Sequence, residues 1–308
     1  MKACGKGAGM DKIRSVKKRK IDPDKVFDIV NLLIMLVLLV IFVWPLWFVL
    51  IASISDPSEV WQGHVVLFPR GITLAAYEEV IKYKTIWTGY ANTILYTVLG
   101  TAINMVLTVC GAYPLSRKDF VPKKFFMLLF MVTMYFSGGL IPLFFVIRNT
   151  GLYNTIWVSS IPYAISAYNM IIMKTFFESI PESLEEAAKI DGASDMGVLL
   201  KIVLPLSVPI IATIGLFYAV QYWNSYFDAL IYIQSPDKFT LQLRLRSLLF
   251  ADELNNAGGG NVEGIGTQVM TQSLKMACVA VSTIPILLVY PWLQKYFVKG
   301  VMLGSVKG

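Results

Sequence analysis

Residues 186 to 205 read Glu186-Ala187-Ala188, three residues, Gly192, nine residues, then Ile202-Val203-Leu204-Pro205, in a polar break between two long apolar runs. A carboxylate, two minimal side chains, a glycine and a proline at these intervals suit docking rather than bond-making. Ala187 and Ala188 let another protein approach closely, and Glu186 offers a charge to a basic partner. An ordinary amphipathic helix is the plainer alternative. A second polar set, Tyr218, Gln221, Tyr222, Trp223, Asn224, Tyr226 and Asp228, crowds one end of an apolar run. Aromatic rings beside amide and carboxylate groups can stack on polyhydroxylated rings while hydrogen-bonding their hydroxyls. Polar groups at membrane depth face a bundle interior or a watery cavity. An interfacial aromatic belt, with Asp228 reaching the headgroups, explains the same residues equally well.

The parts for covalent chemistry are missing. His64 is the single histidine and falls in a polar segment, so a serine or cysteine triad lacks its usual base. No GxxxxGK[ST] loop occurs, and Gly5-Lys6-Gly7 lacks the spacing, so this chain is not expected to hydrolyse ATP itself. Cys4, Cys110 and Cys278 suggest neither a disulfide framework nor a metal site. The chain is expected not to be an enzyme.

Local signals shape the element that carries Glu186. Ser179-Ile180-Pro181-Glu182 has the capping-box pattern, with Pro181 in the first turn. Leu184 to Lys189 are helix formers, and Gly192 stands where a left-handed helix end is expected. The helix has about ten residues, roughly 15 Å. Ser194 is placed to cap a second helix running through Leu199 toward the membrane. Pro205 and Pro209 then predict a kink rather than an end, since neighbouring helices can satisfy the freed carbonyls.

The composition requires lipid around these elements. The chain is 56% apolar and only 15% charged, with a mean hydropathy of +0.62. Six windows reach the roughly 20 apolar residues that a bilayer core demands: Phe27–Ile51, Ala91–Leu115, Phe125–Ile147, Ile156–Phe176, Ile202–Ile231 and Met270–Trp292. The first is too long for a cleaved signal peptide, and Met10 offers a start of its own. Three segments are expected: a basic tail over residues 1–26, a six-span domain over 27–295 containing a loop at 177–201, and a tail over 296–308. Nineteen of the 27 lysines and arginines fall on the side of the two tails and that loop, and seven on the other. The positive-inside rule then makes both termini and the loop cytoplasmic. The net charge of +7 is a topology signal, with anionic lipid as the tail's partner. No basic folded face for nucleic acid is visible.

Within the spans, Asn92, Gly100, Asn104, Gly111 and Ala112 in the second, and Ser159, Ser160, Ser166 and Asn169 in the fourth, favour close helix packing. Ser137-Gly138-Gly139, followed by Pro142, breaks the third. Gly258-Gly259-Gly260 makes the stretch between the last two spans, residues 234–266, a flexible loop.

The pattern at 186–205 resembles the EAA loop of bacterial binding-protein-dependent ABC importers, E-A-A-x3-G-x9-I-x-L-P, with every fixed position filled. The ending Gln294-Lys295-Tyr296-Phe297-Val298-Lys299-Gly300 to Ser305-Val306-Lys307-Gly308, and Trp223-Asn224, resemble carbohydrate permeases of the maltose-transporter type. Leu115 to Phe120, Phe136 to Pro142 and Tyr168 to Ile172 look like a branch associated with complex or uronic-acid oligosaccharides. The resemblance implies an all-α, six-span, type I importer permease in the bacterial cytoplasmic membrane. It implies a second homologous permease, two ABC ATPase subunits and an external sugar-binding protein as partners. ATP sits on the ATPases, and this chain binds no cofactor. Glu186, Ala187, Ala188, Gly192, Ile202, Leu204 and Pro205 become the ATPase-coupling residues. Tyr222, Trp223, Asn224 and Asp228 become candidates for the translocation path. A permease for a non-sugar solute is the nearest alternative, and a secondary transporter or channel the more distant one.

Overall fold

The structure, a computed structural model, describes residues 23–257, 272–289 and 291. Its described residues are helical with no strand. The chain divides into two compact units between Phe48 and Val49, inside the first helix, α1 (Pro23–Ser53). In the first unit the side chains from Phe27 to Trp47 are exposed, and all but Asp28, Asn31 and Pro45 are apolar. Such a surface is stable only in lipid or against another apolar surface.

After two short helices, α2 (Pro57–Trp61) and α3 (Ala75–Lys82), the second unit is organised by α4 (Lys84–Ser116), 33 residues long. Its buried stripe runs Thr93, Tyr96, Gly100, Asn104, Thr108, Ala112, at the spacing of one helical face. Small and polar residues on that stripe admit three neighbours: α7 (Ala167–Glu178), α11 (Val208–Trp223) and α13 (Leu241–Ala257). Gly100 is where α11 comes closest, because a Cβ there would lie 2.5 Å from the Tyr222 ring. Near the Lys84 end, a Cβ on Gly89 would meet the α13 backbone at 3.2 Å. Close backbone approach of this kind drives helix association in lipid, where apolar side chains gain nothing by leaving the solvent. Cys278 and Ala277, on α14 (Gln272–Val289), complete a cluster with Ile86, Tyr90, Leu241 and Leu245.

Among the described residues three helices are long and apolar enough to cross a bilayer: Phe27–Ser53, Lys84–Ser116 and Gln272–Val289. Counting each of two bent pairs as one span raises the number to five. The break at Ser137-Gly138-Gly139 is a bend of 116° between α5 (Lys123–Tyr135) and α6 (Leu140–Asn149), with Gly139 at φ +84°. A second bend, of 82°, separates Asp195–Leu206 from Val208–Trp223. It is sharper than a kink, and Pro209 sits in the first turn after it.

Two expectations need correction. Ile156–Phe176 is not one continuous helix. A short 3-10 turn covers Ile156–Ser159, irregular backbone follows, and α7 has only 12 residues. Twelve residues rise about 18 Å, well short of a hydrocarbon core of about 30 Å. Pro162 removes a helix donor, and Ser166 instead caps α7 by accepting from the Asn169 N–H at 3.4 Å. The stretch after Gln234 is also not simply a flexible loop, because α13 occupies 17 of its residues. Thr240 starts that helix: its hydroxyl accepts from Leu243 N–H (3.3 Å) and donates to the Ser225 carbonyl (3.0 Å). Gly258 to Gly260, residues 1–22 of the first tail and the whole of the last tail lie outside the described residues.

Candidate functional site

Glu186, Ala187 and Ala188 lie on α8 (Glu182–Ile190). The expected cap is not used: Ser179 donates its hydroxyl back to the Phe176 carbonyl (2.7 Å), and Pro181 precedes the helix with no side-chain cap. Extended Pro181, at φ −58° and ψ 128°, is compatible with an abrupt start, and Glu182 and Glu185 in the first turn face the positive end of the helix dipole. The other end is a complete Schellman motif. Gly192, at φ +82°, donates to Lys189 O (3.0 Å), and Ala193 donates to Ala188 O (2.9 Å). Ala188 and Ala193 are the half-buried residues at this turn, and both pack on the main apolar cluster.

The next turns lead from α8 to the root of α11. Ser194 caps α9 (Asp195–Val198) by accepting from Gly197 N–H at 3.2 Å. A single π turn over Leu199–Val203 leads into α10 (Leu204–Leu206). Pro205 cannot donate to an earlier carbonyl, and the change of register just ahead of it absorbs that loss. Ile202 and Leu204 are half-buried and Pro205 exposed.

An ion-pair network ties α8 to the Ser116 end of α4. Arg117 pairs with Glu185, and their side chains are only 19% and 9% exposed. The guanidinium also lies 4.9 Å over the Tyr113 ring, while its Nε donates to Ser116 Oγ (2.9 Å). Tyr113 in turn donates to the Asp195 carbonyl at 3.2 Å. Around this core, Lys118 meets Glu182 at 2.7 Å and Lys189 meets Asp195 at 3.1 Å. Glu178 is held between Lys123 and Lys174, each at 2.7 Å. Partial burial would raise the Glu178 carboxyl, but the two lysines hold it below the usual carboxylate range. Glu186 lies within electrostatic reach of Lys118 and stays exposed beside Ala187, with Ile190 87% exposed on the same helix. A cavity of about 560 Å³ opens beside them, lined by Tyr113, Arg117, Glu182, Glu186, Lys189 and Met196. Glu185 and Arg117 are the residues that sequence reasoning missed. They lie 68 positions apart, so no local pattern pairs them.

The second polar set gathers at the opposite end of α11. Tyr222 is buried against Gly100, and Trp223 is half-buried, edge-on to Tyr90 at 6.3 Å. Asn224 closes the helix, with its amide donating to the Val220 carbonyl at 2.9 Å, and remains exposed. Asp228 lies in the first turn of α12 (Phe227–Tyr232) and accepts from the Tyr163 hydroxyl at 3.0 Å. Ser159, Tyr163, Gln221, Tyr222, Asn224 and Asp228 line a pocket of about 160 Å³. Tyr163 is a third residue missed. Trp223 packs among apolar side chains, whereas Tyr222, Asn224 and Asp228 share this pocket.

A body with long apolar helices and a charged, exposed helix clamped to its central helix fits a membrane subunit. This chain belongs to the binding-protein-dependent transport system inner membrane components, whose family model matches residues 85–303. It is thus a permease component of ABC transporters, not an enzyme. The polygalacturonan/rhamnogalacturonan transport system permease protein YtcP of Bacillus subtilis (strain 168) is 43% identical over 92% of this chain and 99% of its own length. Protein LplC of the same organism is 39% identical, covering 92% and 96%. The fold is also similar to a chain in the crystal structure of a bacterial ABC transporter involved in the import of the acidic polysaccharide alginate. That likeness has a TM-score of 0.82 and 36% identity over 89% of this chain and 98% of the other.

Proposed function

We propose that this chain is the permease subunit through which ATP hydrolysis on partner ATPases drives oligosaccharide import. The observation that carries it is α8, an exposed docking helix ended by Gly192 and ion-paired to α4, whose far half approaches the polar pocket. Glu186, Ala187 and Ala188 receive an ATPase subunit, and Ile202, Leu204 and Pro205 carry the push into α11. The relatives' named cargoes, polygalacturonan, rhamnogalacturonan and alginate, support carbohydrate as the solute. A second homologous permease completes the pathway, two ATPases hold the ATP, and an external binding protein delivers substrate. This chain itself binds no cofactor.

Tyr222, Asn224 and Asp228 contact the sugar in transit, with Trp223 bracing them. A hydroxyl-rich solute crossing an apolar bundle needs compensating hydrogen bonds, and a buried polar group left unpaired costs about 1–3 kcal/mol. Asn224→Ala is expected to slow uptake by roughly fivefold to a hundredfold where that step limits the cycle. Radiolabelled oligosaccharide uptake and ATP hydrolysis, measured together in proteoliposomes, check this. ATP hydrolysis stimulated by the loaded binding protein should persist while uptake falls. Wild-type uptake, or a parallel loss of both, would return Asn224 to a structural role.

Both termini and α8 lie on the cytoplasmic side of the bacterial membrane, on the evidence of the lysine and arginine distribution. Single cysteines at Ser194 and Gln62, both exposed, test this in a background lacking Cys4, Cys110 and Cys278. Residue 62 should react with an impermeant maleimide on intact cells, and residue 194 only with a permeant one. Labelling of both from outside would overturn the orientation.

A further inference from the structure

We infer that a groove beside the polar pocket recognises the carboxylate of acidic sugars through Arg246; this rests on the oligosaccharide-import function proposed above. The groove, about 570 Å³, lies between α13, α14 and the corner joining α11 to α12. Asn224, Tyr226, Gln242, Arg246, Ser282 and Thr283 supply its polar lining. Leu245 and Leu249 add apolar surface.

Arg246 is held ready for an anion. Its guanidinium carbon lies 4.8 Å from the centroid of the Tyr226 ring and 5.6 Å from that of Phe250. Both rings lie within cation–π reach of the guanidinium, and among the described residues no carboxylate pairs with it. A carboxylate meets a guanidinium edge with two parallel hydrogen bonds, whereas a hydroxyl uses only one. Ser282 and Thr283 donate their hydroxyl hydrogens to the Val279 carbonyl, each at 2.8 Å, so their oxygens are turned toward accepting. Gln242 and Asn224 add amides that serve either role. A cation beside neutral donors and acceptors is the lining that a uronate residue requires.

The neighbouring pocket sharpens the choice of ligand. It shares Asn224 and Tyr226 with the groove but carries Asp228 and Tyr163. Across one helix corner the chain therefore presents an acceptor of hydroxyl protons and a binder of carboxylates. A neutral oligosaccharide uses the first alone. An oligouronide, with hydroxyls and a carboxylate on each ring, uses both. The corner itself is anchored, since Thr240 donates its hydroxyl to the Ser225 carbonyl at 3.0 Å.

The test compares a trigalacturonate with its methyl ester, which is equal in backbone but uncharged. The full transporter is reconstituted with its partner subunits and binding protein, carrying wild-type chain, Arg246→Gln or Arg246→Lys. Loss of a charge-assisted pair is expected to lower the acid-to-ester uptake ratio about tenfold to a hundredfold in Arg246→Gln. The change should fall on half-saturation, and Arg246→Lys should recover part of it because the charge remains. Equal loss of both probes, or an unchanged ratio, would overturn the inference and make Arg246 a packing or lipid-headgroup residue. A wild-type complex that imports neither probe would instead refute oligosaccharide import, and this inference with it.

Discussion

Gly192→Val is expected to cut uptake more than tenfold while leaving membrane insertion intact. Gly192 stands at φ +82°, a conformation that a β-branched residue adopts only under strain. A Cβ added there meets nothing within 4 Å, so crowding by neighbours is not the cause. The strain costs about 1–3 kcal/mol, and relieving it would break the Gly192–Lys189 and Ala193–Ala188 hydrogen bonds that close α8. α8 would then leave its seat, with Ser194 and α9 displaced behind it. Gly192→Asn is the control, since asparagine enters the left-handed region several-fold more readily than most residues. It should keep uptake within a few-fold of wild type. Uptake and ATP hydrolysis, at matched membrane levels, decide the matter. A valine variant with normal uptake would show that the helix end does not position the coupling surface.

Breaking the Arg117–Glu185 pair should produce the largest loss of stability. Both side chains are largely withdrawn from water, so removing one strands the other's charge at a cost of about 3–5 kcal/mol. Arg117→Gln and Glu185→Gln are each expected to lower the thermal midpoint in detergent by about 5–10 °C. The exchange Arg117→Glu with Glu185→Arg should recover part of that loss. Tyr113 stacks on the guanidinium, so the swap cannot recover all of it. Transporters assembled with the single variants should also show less uptake per ATP hydrolysed, because α8 would no longer move rigidly with α4. Additive losses in the double exchange would show that the two residues act independently.

These two expectations differ in how much the sequence alone discloses. Gly192 is legible because its cause is local. A run of helix formers followed by glycine marks a left-handed end wherever it occurs, and Ser194 marks the next start by the same logic. The break at Ser137 to Gly139 and the apolar character of α1 and α4 are legible for the same reason. The fourth apolar window misled because hydropathy counts side chains without following backbone donors. Pro162 and the serines around it end the helix while keeping the window apolar. The Ser179 cap misled too, since Ser179 can satisfy either the preceding carbonyl or the following N–H, and the chain uses the first.

What the sequence by itself determined is the solvent, the helical class and the EAA loop: apolar composition, helical periodicity and the E-A-A-x3-G spacing act over a few turns at most. Only the tertiary structure decided which charges pair and which polar groups share a cavity. Arg117 reaches Glu185 across 68 residues, Tyr163 reaches Asp228 across 65, and Arg246 joins Tyr226 from another helix. The physical reason is the geometry of α4. Its glycines and small polar residues set how closely α7, α11 and α13 approach, and that approach selects which distant side chains come within a few ångströms of one another.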